Sequence, residues 1–264
     1  MLDQITPVLL TYNEEANITQ TLQQLTWARD IVIVDSFSDD KTLEFAKQFP
    51  QVRIFQRPFD IFYLQRNFSL RETHISTEWV LGLDADFLLP PPLIKEMSQL
   101  NPPHEVSGYL VKFIYAVYGQ PLRASVYPPL VSLFRKDRSF YYQDGHTERI
   151  RVEGKIESLK GFIIHDDRKR LYRWFDAQYS YAPTEVIKLL TTKNTDLTWI
   201  DRIRKLDVFA PFAVFIYCLL FQGIIFNGWR GLFYSFQRMS AEIILSIFLL
   251  DKDLRERSQR AAPG

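Results

Sequence analysis

Trp79-Val80-Leu81-Gly82-Leu83-Asp84-Ala85-Asp86 is the stretch on which the fold turns. Its first five residues form an unbroken apolar run of strand length. A run without polar alternation reads as a strand covered on both faces, as in a parallel sheet. The run ends in two carboxylates one residue apart, a donor pair suited to a hard divalent ion that also grips a diphosphate. An Asp-X-Asp alone is a weak signal, because chance produces it often. Its position at a strand end, after two similar strand ends, makes it specific.

Those two lie upstream. Val8-Leu9-Leu10-Thr11-Tyr12-Asn13-Glu14-Glu15 and Ile31-Val32-Ile33-Val34-Asp35-Ser36 each close an apolar strand with polar side chains. Strands are expected at 6–11, 31–34, 52–55 and 79–83, with helices over 13–25, 41–49 and 62–73 between them. Pro90-Pro91-Pro92 fits the first turn of a helix running to residue 100. This rhythm predicts an α/β fold, a Rossmann-like, mostly parallel sheet with helices on both faces. Beyond residue 101 come aromatic, β-prone runs at 109–118, 130–135, 149–152 and 161–164, then a helix over 169–192 bent at Pro183.

Composition narrows the class. The chain has 264 residues, 47% of them apolar, enough for one large domain and a smaller appendage. A net charge of +1 argues against nucleic acid as a partner. Residues 149–205 are locally basic, with 13 Lys/Arg against 8 Asp/Glu, a stretch that would face phosphates, an anionic membrane or simply water. Cys218 is the single cysteine, which excludes an internal disulfide and fits a reducing cytoplasm. The N-terminus, Met1-Leu2-Asp3-Gln4, shows no signal-peptide pattern.

The C-terminal part is a different material. Residues 208–226 are almost wholly apolar, broken by Pro211, Gln222 and Gly223. These 19 residues approach the roughly 20 that span a bilayer. Arg202, Arg204 and Lys205 precede them, and Trp229, Arg230 and Tyr234 follow. The expected organisation is a catalytic domain over 1–195 and a membrane-associating helical segment over 196–264. In-plane attachment is favoured over a single crossing, with a buried helical hairpin as the alternative.

Ligands of an open parallel sheet sit beyond the carboxyl ends of its strands, so the three polar strand ends predict one nucleotide-sugar pocket. Thr11, Tyr12 and Asn13 offer contacts to a base, Glu14 an acceptor for a ribose hydroxyl, and Asp35 an acceptor for the imide N–H of uracil. Alternatively Asn13 is a helix cap and Asp35 a turn residue. Arg57 and Arg66 carry guanidinium forks for a diphosphate, or serve as surface ion-pair partners. Asp84 and Asp86 present oxygens to Mg2+ or Mn2+, and His165 would complete the metal shell. The basic residues Arg168, Lys169 and Arg170 would cover the diphosphate. A base must take the proton of an attacking acceptor hydroxyl; Asp144 is the choice, with His146 and Glu148 as rivals in the same loop.

The ordered motifs Thr-Tyr-Asn-Glu-Glu (11–15), Val-Asp-Ser-Phe-Ser-Asp-Asp-Lys-Thr (34–42), Gln-Arg-Asn (65–67) and Asp-Ala-Asp (84–86) resemble glycosyltransferase family 2, with the GT-A fold. The segments 55–59, 127–129, 143–147 and 165–169, with Gly228-Trp229, resemble its lipopolysaccharide core β-1,4-glucosyltransferase-like branch. The resemblance implies an inverting, metal-dependent transferase using a UDP-sugar donor, with Asp35 reading the base, Asp86 the main metal ligand and Asp144 the general base. The Gln-X-X-Arg-Trp signature of processive members is absent, since Arg173-Trp174 lacks the glutamine, so addition of one sugar is expected. The expected acceptor is a glycolipid or oligosaccharide at the inner face of the cell membrane, the protein being cytoplasmic and peripheral or monotopic. Rival readings are transfer to polyprenyl phosphate, an aspartate-nucleophile phosphatase, and an inactive membrane-bound interaction module. The phosphatase is disfavoured because its Asp-X-Asp belongs on the first strand, and here the pair closes the fourth.

Overall fold

The computed structural model describes residues 1–145 and 147–261. His146, a rival for the base, lies outside the described residues. Four parallel strands build the core of the main sheet: β1 (Ile5–Thr11), β2 (Ile31–Asp35), β3 (Val52–Gln56) and β4 (Trp79–Asp84). Their order in space is β3-β2-β1-β4. The sheet then becomes mixed, as β8 (Leu130–Arg135) pairs antiparallel with β4 and with β6 (Val106–Val117). Strand β11 (Lys155–His165) runs parallel to β6, and β5 (Phe87–Leu88) closes that edge antiparallel to β11. The short β7 (Gln120–Pro121) turns back on β6. Strands β9 (Ser139–Asp144) and β10 (Thr147–Val152) form a separate antiparallel pair. The mixed α/β sheet with flanking helices is the GT-A arrangement that the motifs imply.

Alternation along the strands splits the core in two. Leu9, Ile33, Leu81 and Leu83 point to one face, where α1 (Ile18–Gln23) and α4 (Pro91–Ser98) supply Ile18, Leu22, Leu93 and Met97. Val8, Val32, Val34 and Val80 point to the other, against Leu70 of α3 (Phe62–Arg71) and Tyr141 of β9. Both faces are dry, which is why the parallel strands read as continuous apolar runs. The helix expected over 13–25 starts five residues later because Asn13 takes a left-handed conformation, φ 55°, incompatible with an α-helical turn. The helix expected over 41–49 is α2 (Thr42–Ala46).

Contacts divide the chain into two compact units. The first comprises Met1–Pro121 and Tyr127–Lys169; the second comprises Leu122–Val126 with the chain from Arg170 onward. The observed break thus falls at Lys169, not at residue 195, so α5 (Leu171–Thr191), with Pro183 inside it, groups with the C-terminal helices. That unit also holds α6 (Trp199–Arg204), α7 (Ala210–Ile216) and the 33-residue α8 (Trp229–Ala261).

Residues 208–226 do not form one spanning helix. A π-turn follows α7, Gly223 takes φ 64° and Gly228 φ 59°, so the segment breaks and reverses. Its longest helical stretch, Asp207–Phe221, has 15 residues, short of the roughly 20 a crossing needs. By length and composition Trp229–Gln259 passes the test for a membrane-crossing helix, at a mean hydropathy of 1.2, but 44% of that window is buried within the protein.

Candidate active site

The carboxyl ends of β1, β2 and β4 are adjacent by register: Thr11 pairs with Asp35 and Leu10 with Asp84. Three chain reversals therefore deliver their polar residues to one edge.

At the β1–β2 end, Asp35 is fully buried. Its carboxylate accepts from Thr11 Oγ1 at 2.9 Å, Ser38 N at 2.9 Å, Ser38 Oγ at 2.5 Å and Gln56 Nε2 at 3.4 Å. Asn13 N in turn donates to Ser38 Oγ, and Asp39 N to Asn13 Oδ1, so Asn13 shapes the loop and caps no helix. Tyr12 and Phe37 stand about half exposed on either side. Arg57 is held by Asp60 (2.7 Å) and by Gln65, with its guanidinium 5.7 Å from the Phe68 ring centre.

Glu14 belongs to a second network. Its carboxylate accepts from Lys169 Nζ at 2.7 Å and from Asn17 Nδ2 at 2.9 Å. Asn17 also donates to Asp167 and accepts from the Arg168 amide, joining the β1 loop to the residues after β11. Burial pushes the Glu14 carboxyl up to about 7, against the pull of Lys169. Lys169 is displaced upward as well: burial opposes its charge, but Glu14 and Asp167 outweigh it.

Asp86 and His165 form the third cluster. Thr21 Oγ1 donates to Ala85 O at 2.5 Å, and Asp166 N to Asp86 O at 3.0 Å, fixing the turn that presents Asp86. Asp86 Oδ2 lies 3.1 Å from His165 Nε2, whereas Asp86 Oδ1 and His165 Nδ1 are buried with no hydrogen-bond partner among the described residues. Burial opposes the Asp86 charge, yet the facing imidazole prevails and lowers its pKa; the same carboxylate raises that of His165. Rings of Phe87, Tyr115 and Tyr127 surround His165, with centroids 4.9–5.5 Å away. Burial, then the nearby carboxylates, raises the Tyr127 phenol far above its ordinary range.

A buried oxygen without a partner is a costly group unless a cation or donor meets it. Asp86 Oδ1 therefore fits one carboxylate ligand of a hard divalent ion, whose remaining positions water and phosphate would fill. No cluster of three ligating side chains occurs among the described residues, which agrees with that mode of binding and not with an all-protein cage.

Arg66 occupies the floor. It donates to Leu83 O at 2.8 Å and to Glu148 Oε1 at 3.1 Å, and it is also hydrogen-bonded to Asp84. Buried and engaged on three sides, it organises carboxylates; it is no free fork for a diphosphate. Glu148 is thus brought to Asp84, while Asp144 sits at the hairpin turn, accepting from Arg149 Nε at 3.0 Å. Opposite pleats place Glu148 and Asp144 on different faces of the β9–β10 pair.

Reading from the sequence missed Tyr127 as a wall of the His165 pocket, Asn17 as a bridge, and β9 as a strand. The aromatic, β-prone run Phe140-Tyr141-Tyr142 was the available signal for β9.

Comparisons with known proteins give the family. Residues 7–162 match the model of "Glycosyl transferase family 2". An uncharacterized glycosyltransferase of Rickettsia felis is 24% identical over 195 residues, covering 73% of this chain and 67% of that protein. One of Rickettsia typhi is 26% identical over 196 residues, covering 73% and 65%. The chain thus spans about two thirds of the length of these relatives. Among solved structures, S. aureus TarS 1–349 in complex with UDP-GlcNAc superposes with a TM-score of 0.51 at 14% identity, covering 96% of this chain and 92% of that one. With the family match running from β1 into β11, over the strand ends that carry Asp35, Asp84 and Asp86 and stopping short of His165, the chain belongs to glycosyl transferase family 2 and is a glycosyltransferase.

Proposed function

We propose that the protein moves a single hexose, glucose, from a UDP-sugar to a hydroxyl of a membrane glycolipid such as the lipopolysaccharide inner core, with inversion. The observation that carries the donor reading is the partnerless Asp86 Oδ1 beside His165, next to the strand ends that hold Asp35 and Asp84. The fold neighbour TarS binds a UDP-sugar.

Thr11, Tyr12, Asn13 and Asp35 receive the uracil; its imide N–H would take the place of the long Gln56 contact on Asp35. Glu14 meets the ribose, and Arg57 and Lys169 flank the diphosphate. Asp86 and His165 would hold Mg2+ or Mn2+, which supplies positive charge to the departing diphosphate, and Asp84 faces the donor beside them. The acceptor oxygen bonds to the anomeric carbon as the carbon–oxygen bond to UDP breaks, and Asp144 takes the hydroxyl proton. Arg66 keeps Asp84 and Glu148 in place throughout.

Membrane attachment belongs to the same proposal. Phe209, Phe212, Phe221, Phe226 and Trp229 are each more than half exposed, an apolar surface suited to lying in the interfacial plane at the cytoplasmic side.

The test is thermal stabilisation by UDP, GDP, CMP and dTDP, each with and without Mn2+, because a ligand bound only by the native state raises Tm. A UDP shift that needs Mn2+ and disappears in Asp86→Ala is the expected result. A larger shift with another nucleotide overturns the role of Asp35, and no shift with any of them overturns the donor reading.

A further inference from the structure

We infer that the second unit carries a site for the phosphate of an anionic phospholipid headgroup, formed between the end of α5 and helix α6. This rests on the membrane attachment proposed above and names its lipid chemistry. A shallow, open depression of about 460 Å³ lies there, lined by Asn194, Thr195, Arg202 and Lys205. Two cations and an amide form a donor-rich lining, the chemistry a phosphate oxygen accepts from. Lys205 Nζ donates to Asn194 Oδ1 at 2.8 Å, which holds the ammonium at the depression. The guanidinium of Arg202 has no protein partner among the described residues, and the residue is exposed.

The nearby acids leave the two cations in excess, since the one exposed carboxylate beside them among the described residues is Asp196. Asp201 is buried and engaged by Thr198, with Lys188 and Arg204 at 3.8 Å. Asp196 accepts from Thr195 Oγ1 at 3.0 Å. Arg204 turns inward to Glu185 and Glu242, leaving Arg202 and Lys205 as the outward charges of α6 and its cap.

The surroundings select a lipid source for the phosphate. Trp199, Leu206, Val208 and Phe209 border these cations in the chain and are 59%, 56%, 50% and 70% exposed. Trp199 and Arg202 are three apart within α6, so an aromatic ring and a cation share one side of that helix. A bilayer interface accommodates both kinds of group: the rings and aliphatic chains enter the headgroup–acyl boundary while the cations meet phosphate.

Sedimentation with vesicles of phosphatidylcholine alone, or with roughly a third phosphatidylglycerol, tests the site. Wild type is expected to bind the mixed vesicles about thirtyfold more tightly, at about 1 kcal/mol for each of two basic residues. The double variant Arg202→Gln/Lys205→Gln should lose this preference, keep binding to neutral vesicles, and keep its UDP thermal shift. Arg202→Lys/Lys205→Arg, which preserves both charges, should retain the preference. An undiminished preference in the Gln variant overturns the site, as does equal wild-type binding to both vesicles. Failure to bind either kind overturns the attachment reading too, leaving the face to a protein partner, while the UDP shift reports separately on the transferase site.

Discussion

Arg66 Nε donates to Glu148 Oε1 across 3.1 Å, joining helix α3 to the β9–β10 hairpin beneath Asp84. Both side chains are largely buried, at 7% and 19% exposure. Removing one partner of such a pair leaves an uncompensated buried charge and costs about 3–5 kcal/mol. Arg66→Ala is expected to lower stability by that order in urea denaturation, with a smaller loss in Glu148→Gln, which keeps a neutral acceptor. No change in either midpoint would refute the structural role.

Asp144 and Glu148 should separate kinetically. Asp144→Asn is expected to reduce kcat about 10²–10⁴-fold while leaving the Tm shift with UDP and Mn2+ intact. Glu148→Gln should act mainly on stability. If Asp144→Asn retains full turnover, the acceptor is a group that needs no base, as a polyprenyl phosphate would be.

Glu14 sets a pH dependence of stability. Its carboxyl titrates near 4.5 ordinarily and at about 7 in the folded protein, chiefly through burial. Between those values the native state keeps a proton that the unfolded chain has lost. Stability therefore falls as pH rises through this window and levels off above it. Glu14→Gln should flatten the slope of urea midpoints between about pH 5 and pH 7; an unchanged slope would exclude Glu14 as its source.

Gly82 is a packing requirement. A Cβ there would lie 2.9 Å from Tyr141 Oη and 3.4 Å from Phe134 Cε1. Gly82→Ala is expected to cost about 1–3 kcal/mol, and adding Tyr141→Phe should recover part of it. Simple additivity of the two in a double-mutant cycle would show that the rings do not compete.

Attachment through the broken apolar segment predicts that Phe209→Ser/Phe212→Ser/Trp229→Ser leaves membranes without loss of Tm, since these side chains are 61–85% exposed. Unchanged sedimentation with membranes would refute it.

The strand ends were legible because each motif is local: a buried strand shows as an apolar run, and its functional residues follow directly. What joins the clusters was not legible. Arg66 reaches Glu148 across 82 positions and Asn17 reaches Asp167 across 150, and no periodicity records such pairings. Composition also left residues 208–226 open between a span and a broken segment, because hydropathy does not record the left-handed Gly223 at which the helix stops. Asn13 illustrates the same limit on a smaller scale, since its residue type suits both a helix cap and the left-handed turn it adopts.

Asp86 and His165 meet only because β11 pairs with β5, with Phe87 opposite His165. During synthesis the ribosome releases β1 to β4 many seconds before His165 emerges, at about 5–20 residues per second. The nascent chain would thus carry only one half of the proposed Asp86–His165 pair through most of its translation. On the proposed reading, competence to hold the ion would arrive late, as a product of the last strand's docking, and truncation before that strand would leave a metal-blind half-sheet.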